Sequence, residues 1–388
     1  MQKLNLIIHH HATVYVDPET KEMYTFSFIG RWVNAIAPLV DNLGLLFYTS
    51  KIKTDKHDTL LTSKNIILES LNEKEKFYHF KKRNDKFKQL YAKISDKYNC
   101  IVIRGITPRQ FLVGKVFIYP KMFFLLVGSI IDSKPNFKLS ISGFISYFMY
   151  FWRIKELTIL SKKYTFFANS YKVIDEIKNK LSVSSKFVPT NTLKFEEIFP
   201  FKEKKINSEN LTLLFCGRVV ADKGIFELLE AFYLLILENN RHKLIIVGEV
   251  NDFFYNQIKS LKYYNVIEKN IEFKGFIKFG IELLKIYDKS DFYILPSYHE
   301  GFPHSIWEAA STCTPILTSN VGGIPSVVNE NEVTFIEKKS SKDIYDKISG
   351  LKNNQLLLNS KSKAIYKKIK ENTVENCAKI IIDEIRNN

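Results

Sequence analysis

One pattern recurs along the chain and limits its fold more than any other: a short apolar run ends at a glycine or a tight break and passes into a longer amphipathic segment. LTLLFCGRVVADKGIFELLEAF (residues 211–232), KLIIVGEVNDF (243–253) and PILTSNVGGIPSVV (315–328) all carry it. Apolar runs without polar alternation suit strands buried on both faces, which means parallel sheets covered by helices on each side. The class is α/β.

In the first half this pattern predicts strands at Leu4–Ile8, Leu45–Tyr48, Asn65–Leu68, Cys100–Arg104, Met122–Val127 and Tyr164–Ala168. The helices predicted there are Gly30–Asn42, Asn84–Tyr98, Gly143–Ser161 and Tyr171–Leu181. The second half reads as strands Leu211–Cys216, Lys243–Val247, Ile271–Lys274, Phe292–Leu295 and Pro315–Thr318. Between them fall helices Gly224–Glu238, Asp252–Lys262 and Ile281–Lys289, one opening near Pro303 and one after Gly323. A chain of 388 residues exceeds one ordinary core and suits two domains of roughly 150–200 residues. The charged, Pro-containing stretch FPFKEKKINSEN (199–210) reads as an exposed linker, giving domains 1–203 and 204–372 with a C-terminal helix over 373–388.

Charge narrows the partners. With 57 Lys and Arg against 41 Asp and Glu, the net charge of +16 predicts attraction to something anionic: a phosphate-rich substrate, nucleic acid or the inner face of a membrane. No RNP-type, zinc-finger or helix-turn-helix signature is present, so nucleic acid is not expected as a partner. Cys100, Cys216, Cys313 and Cys377 are too far apart for CxxC metal spacing and read as small apolar residues in a reducing compartment. MQKLNLIIHHH lacks the extended apolar region of a signal peptide, and the expectation is a cytoplasmic chain. The apolar runs Met122–Ile131 and Phe144–Trp152 fall short of the ~20 residues that span a bilayer. They read as core elements or as contacts with an anionic membrane surface.

Four constellations bear on chemistry. Arg218 and Lys223 follow a strand and flank the start of a helix, at the sheet edge where open α/β folds bind ligands. Two cations beside helical N–H groups suit a diphosphate, although a solvated basic loop looks the same in sequence. Gly248 follows a buried strand directly, which admits close approach by a ligand or by another backbone. In HEGFPHSIWEAAS, Glu300 precedes a Gly-Phe-Pro turn, Pro303 suits a first helical position, and Glu308 follows about a turn and a half into the helix. The two carboxylates can thus meet two ends of one ligand. Gly322 and Gly323 either present bare amides to an anion or form a plain turn.

In order and spacing, GRVVADKG, ELLEAF, KLIIVGE, IEFKGFI, SDFYILPSYHEGFP, WEAAS and PILTSNVGGIPSVV resemble the retaining family 4 glycosyltransferases (glycosyl transferases group 1). FIGRWVNAI, TFFANSYKVIDEI and KFVPTNTLKFEEIFP extend the resemblance more faintly into the first half. The resemblance implies the GT-B architecture, two facing Rossmann-like domains with the donor site in the cleft between them and a last helix, Thr373–Arg386, that crosses back. It implies a retaining, metal-independent transferase that moves sugar from a UDP- or GDP-linked donor to a glycan or lipid-linked acceptor in bacterial surface polysaccharide synthesis. No cofactor beyond the nucleotide-sugar substrate is implied. By the same resemblance Arg218 and Lys223 hold the diphosphate, Glu300 and the amides of Gly301, Phe302 and Pro303 meet the transferred sugar, and Glu308 meets the ribose. The base lies near Phe276, Ile277 and Gly248, and Gly30 is the close-approach glycine of the first domain.

Two departures stand out. Many members carry a histidine in the first domain near the donor sugar, whereas GITPRQF (105–111) has none, and His9–His11 at a strand end are as well explained by solvation. His304 replaces a residue that is apolar or amidic in the family, and bears either on donor selection or only on the helix start. The rival reading is a non-catalytic relative that binds glycan or a partner transferase; it predicts loss of Arg218, Lys223 or Glu300, and all three are present.

Overall fold

The computed structural model describes residues 3–71, 89–90, 92–105, 121–126, 141–169, 173–175, 178–179, 185–188 and 190–388. The chain divides into two compact units, Met1–Thr192 with Val374–Asn388, and Leu193–Thr373. Among the described residues no helix is long and apolar enough to cross a membrane.

Among the described residues of the first unit, seven parallel strands run in the order β5 (Ile66–Leu68), β3 (Asn42–Ser50), β1 (Asn5–Val16), β6 (Cys100–Arg104), β7 (Lys121–Leu126), β8 (Thr165–Ala168) and β9 (Ser185–Phe187). Two short strands, β2 (Met23–Thr25) and β4 (Thr59–Leu60), pair antiparallel beyond the far end of β1. The sequence reading ends the first strand at Ile8, but β1 runs on through the histidines to Val16. Its ladder with β3 slips between His9 and Thr13, and this irregularity absorbs the histidine run while His9 and His10 stay buried. The expected helix Gly30–Asn42 starts earlier and stops sooner, as Ser27–Ile36 followed by a 3₁₀ turn around Pro38. Pro38 lacks the N–H that a continuing helix needs. The helices expected at Asn84–Tyr98 and Tyr171–Leu181 lie partly outside the described residues.

The helix Val374–Asn387 belongs to this first unit. Its buried stripe of Val374, Ala378, Ile381, Ile382 and Ile385 joins Ile29, Trp32, Val33 and Ile36 of the helix Ser27–Ile36 in one core. Each fully buried aliphatic side chain there contributes about 1.5–3 kcal/mol, which holds the chain terminus against the first unit.

The second unit has six parallel strands in the order β12 (Ile271–Gly275), β11 (Lys243–Val247), β10 (Thr212–Cys216), β13 (Phe292–Leu295), β14 (Ile316–Ser319) and β15 (Thr334–Ile336). Side chains alternate across it. Leu213, Phe215, Phe292 and Ile294 enter one core, and Leu214, Tyr293 and Leu295 enter the other. In sequence terms the strand order is 3-2-1-4-5-6, with its reversal point between β10 and β13, where doubly wound sheets open a crevice for ligands. The unit begins earlier than the expected boundary at 203, because Leu193 is buried in its core with Ile198 and Phe199 packed on it. Nor is 199–210 wholly exposed: Lys204 is 8% exposed, and its Nζ donates to the carbonyls of Tyr287, Asp288 and Ser290 at the end of the helix Ile281–Lys289. The ammonium thereby satisfies carbonyls that the helix leaves open.

Two buried histidines make stability depend on pH. Nδ1 of His242 accepts the Leu211 N–H at 3.1 Å, and Nδ1 of His10 accepts the Ala12 N–H at 3.1 Å, so each ring is neutral as packed. Burial lowers the proton affinity of both; for His10 the Arg104 charge and the neighbouring histidines lower it further. The unfolded chain therefore takes up protons near pH 6.5 that the folded chain refuses, and stability is lost as pH falls through the window below that value. The unfolding free energy from urea titration is expected to fall between pH 7.5 and 5.5, by up to about 1.4 kcal/mol per pH unit for each imidazole, and the urea midpoint with it, with His242→Gln flattening the slope. A midpoint independent of pH over that range contradicts the assignment.

Candidate functional site

The loops that follow β10 and β13 form the candidate site at the reversal point of the second sheet. After Cys216 the chain makes a 3₁₀ turn, Ala221–Lys223, and Gly224 then opens the helix Ile225–Glu238 in the left-handed region at φ 71°. Only glycine fits here, since a Cβ would stand 2.1 Å from the Pro296 carbonyl oxygen at the start of the β13 loop. The two loops are pressed together by their backbones. A second join is made by the Tyr298 N–H, which donates to the Asp222 carbonyl at 2.8 Å.

This contact brings Lys223 onto Glu300. Its Nζ pairs with Oε1 of Glu300, and the side chains are only 14% and 10% exposed. Ser297, fully buried, donates its hydroxyl to the same Oε1 at 2.7 Å. In sequence the two charged residues address different parts of a ligand; the structure makes them partners whose charges compensate. Arg218 is exposed, its side chain forms no hydrogen bond or ion pair with any described residue, and it supplies the open positive charge of the site.

The Gly301–Pro303 turn is held from below by the loop after β14. Gly323 donates its amide to the Gly301 carbonyl at 2.8 Å, so it is engaged by the protein rather than offered to an anion. At Gly322, with φ +60°, a Cβ would lie 1.7 Å from the Glu300 carbonyl oxygen. Phe302 packs on Trp307 with ring centroids 5.0 Å apart. Pro303 caps the helix His304–Ser311 from the position before its first residue, one step earlier than the sequence suggests. Glu308 projects from that helix and accepts a hydrogen bond from the Tyr287 hydroxyl at 2.9 Å. His304 is half-buried at the first helical position.

The remaining expected residues divide by location. Gly248 lies at the end of β11, where a Cβ would come within 1.8 Å of the Gly217 carbonyl oxygen. Of the two uses read for this glycine, close approach of another backbone is the one seen. Ile277 is partly buried against the core beside the site, and Phe276 next to it is 70% exposed. Gly30 sits in the first unit, where a Cβ would meet Thr59 Cγ2 at 2.7 Å and Thr25 Cγ2 at 3.0 Å; its smallness lets the helix Ser27–Ile36 lie close to β2 and β4. Sequence reasoning missed Ser297 and Tyr287. Ser297 sits three residues before Glu300, a spacing at which a hydroxyl reaches a carboxylate, whereas nothing local marks Tyr287.

Residues 196–372 match the family described as glycosyl transferases group 1. This segment is a glycosyl transferases group 1 domain. The group 1 domain contains every candidate residue above except Gly30. Among sequence relatives, the capsular polysaccharide biosynthesis glycosyltransferase CapM of Staphylococcus aureus is 29% identical over 188 residues, 46% of this chain and 48% of CapM. The chain thus matches about half the length of that relative. Two solved structures align over nearly the whole chain: a glycosyltransferase from Rickettsia africae ESF-5 (TM-score 0.70, 16% identity, 100% of both chains) and Anabaena HepE in complex with UDP and glucose (TM-score 0.63, 13% identity, 99% of both chains). The fold is GT-B, with a Rossmann-like sheet in each unit.

Glycine positions give the clearest stability test of the group 1 domain. Gly322→Ala places a methyl group against backbone at a positive φ and is expected to destabilise by about 1–3 kcal/mol. Gly350, exposed within the helix Ser341–Leu351 with nothing within 4 Å of where a methyl group would stand, is the contrast: Gly350→Ala is expected to stabilise by about 0.5–1 kcal/mol. Chemical denaturation of both variants measures the difference, and equal effects would contradict the contact at Glu300.

Proposed function

We propose that the protein is a retaining glycosyltransferase that moves a sugar from a UDP- or GDP-linked donor to a glycan or lipid-linked acceptor in surface polysaccharide synthesis. The observation that carries this reading is the grouping of Arg218, the Lys223–Glu300–Ser297 cluster and Glu308 at the reversal point of a Rossmann-like sheet within a group 1 domain. The role of CapM in capsular polysaccharide biosynthesis and the UDP and glucose held by HepE support the substrate class. The net charge of +16 favours an anionic membrane surface, which fits a lipid-linked acceptor at its cytoplasmic face.

In this mechanism the bond from the anomeric carbon to the diphosphate breaks, and the departing nucleoside diphosphate keeps the electron pair. Arg218 meets the charge that builds on the phosphates, as fixed donors do where charge develops in a transition state. Lys223 has three N–H donors. One serves Glu300, and the others turn to the diphosphate. Glu300, anchored by Ser297 and Lys223, places a carboxylate near the sugar and favours its oxocarbenium-like charge. The acceptor oxygen bonds on the face the phosphate leaves, and its proton passes to that phosphate. No metal enters the proposed route. Glu308 grips the ribose, and the base rests near Phe276, Ile277 and Gly248.

The ion pair sharpens the mutational test. Glu300→Ala is expected to lower transfer by about a hundredfold or more while nucleotide affinity holds or rises, because Lys223 is released to the diphosphate. Glu308→Ala is expected to weaken nucleotide binding about tenfold or more. Calorimetry with UDP, GDP and ADP, together with assays of donor hydrolysis, separates the two effects. The reverse pattern overturns the roles, and a wild-type protein that binds none of the three overturns the donor site.

A further inference from the structure

The helix that carries Glu308 is pinned from beneath by two buried phenols. Tyr287, fully buried, lies in the last turn of the helix Ile281–Lys289 and donates to Glu308 Oε2 at 2.9 Å. Tyr293, fully buried in β13, donates to Ser305 Oγ at 2.6 Å, one turn earlier on the same helix. The two rings touch, with centroids 5.3 Å apart. A phenylalanine would fill either space without a hydroxyl to satisfy, so each buried O–H needs a partner that offsets its loss of water.

The two bonds differ in what they hold. Tyr293 fixes a serine of the first helical turn and therefore the placement of the helix. Tyr287 fixes the carboxylate itself. Burial, reinforced by the nearby Cys216 and Glu308, pushes the Tyr287 phenol well above its ordinary range, so it keeps its proton and remains a donor to the carboxylate. The thiol of Cys216, the last residue of β10, lies against the same hydroxyl; burial and then the Glu308 charge push it up to about 12. No proton leaves this row at physiological pH.

Tyr287 is itself held from behind. Its carbonyl accepts from Thr314 Oγ1 at 2.7 Å and from Lys204 Nζ at 3.3 Å. A chain of contacts thus runs from a residue of the expected linker, through the end of the helix Ile281–Lys289, to the carboxylate of the candidate site.

We infer that Tyr287 is a positioning residue that sets the rotation of the Glu308 carboxylate, and so makes the site selective for the vicinal hydroxyls of a ribose. The inference rests on the donor-site reading proposed above. A carboxylate clamped through one oxygen by a rigid donor presents a fixed edge to a diol. Without the Tyr287 hydroxyl the carboxylate loses that anchor, and the ordering lost before binding must be restored on binding.

The test uses the full-length chain and calorimetric affinities for UDP, GDP and their 2′,3′-dideoxy counterparts. Wild type is expected to favour the ribose forms by about tenfold or more. Tyr287→Phe, which removes only the hydroxyl, is expected to bring that ratio within about threefold of unity while affinity for the dideoxy forms stays unchanged. Tyr293→Phe, which leaves Glu308 and its partner in place, keeps the wild-type ratio even if its melting temperature falls. The inference is overturned if Tyr287→Phe retains the wild-type ratio, or if Tyr293→Phe loses it equally, since either outcome makes Tyr287 an ordinary packing residue. Wild type that binds no nucleotide overturns the donor site instead; wild type that binds ribose and dideoxy forms alike retains a nucleotide site but overturns the role of Glu308 and, with it, that of Tyr287.

Discussion

At the carboxyl edge of the second sheet, backbone packs directly on backbone. Carbonyl oxygens of Pro296, Gly217 and Glu300 lie 2.1, 1.8 and 1.7 Å from where β-carbons would stand on Gly224, Gly248 and Gly322. Each contact joins loops from neighbouring strands. Gly224 brings the β10 loop under the β13 loop, Gly248 ties β11 to the turn after β10, and Gly322 braces the turn that carries Glu300. Any side chain at these points would wedge the loops apart, and the charged residues they carry would no longer meet.

Close packing of the loops decides the electrostatics. Lys223 and Glu300 come into contact at low exposure, where unpaired charges would be costly to bury. Ser297 and Lys223 converge on one oxygen of Glu300, which orients the carboxylate. Arg218 stays outside this arrangement and in water. The site therefore combines a neutral, pre-oriented pair with one open cation, an arrangement that suits an anionic ligand better than two competing buried charges would.

Much of this was legible in the chain. Strands Lys243–Val247 and Phe292–Leu295 and the helix Ile281–Lys289 stand where their apolar patterns put them, because both faces of those strands are buried and the helix presents a single apolar stripe. Where the reading fell short, the cause was tertiary. β2, β4 and β9 are too short to carry a pattern, and each exists through pairing with a neighbour. The polar run His9–His11 looked like a strand end, yet pairing with β3 carries the strand past it. β15 and the helices Ser341–Leu351 and Gln355–Glu371 lie outside the predicted elements, although Ser340 caps the first of these helices by accepting the Asp343 N–H, a signal present in the sequence.

The two Rossmann-like sheets came with the resemblance to the group 1 glycosyltransferases; residue type and spacing by themselves determined the α/β class and placed Arg218, Lys223 and Glu300 in loops just after strands and Glu308 in the helix that follows. Those properties follow from local burial patterns and from glycines beside the sheet edge. Only the tertiary structure decided which charges face each other. Lys223 and Glu300 are 77 residues apart, and Tyr287 and Glu308 are 21 apart across two helices and a strand. Such pairs depend on how closely separate loops and helices pack, which is set by contacts between elements and is written in no single stretch of the chain.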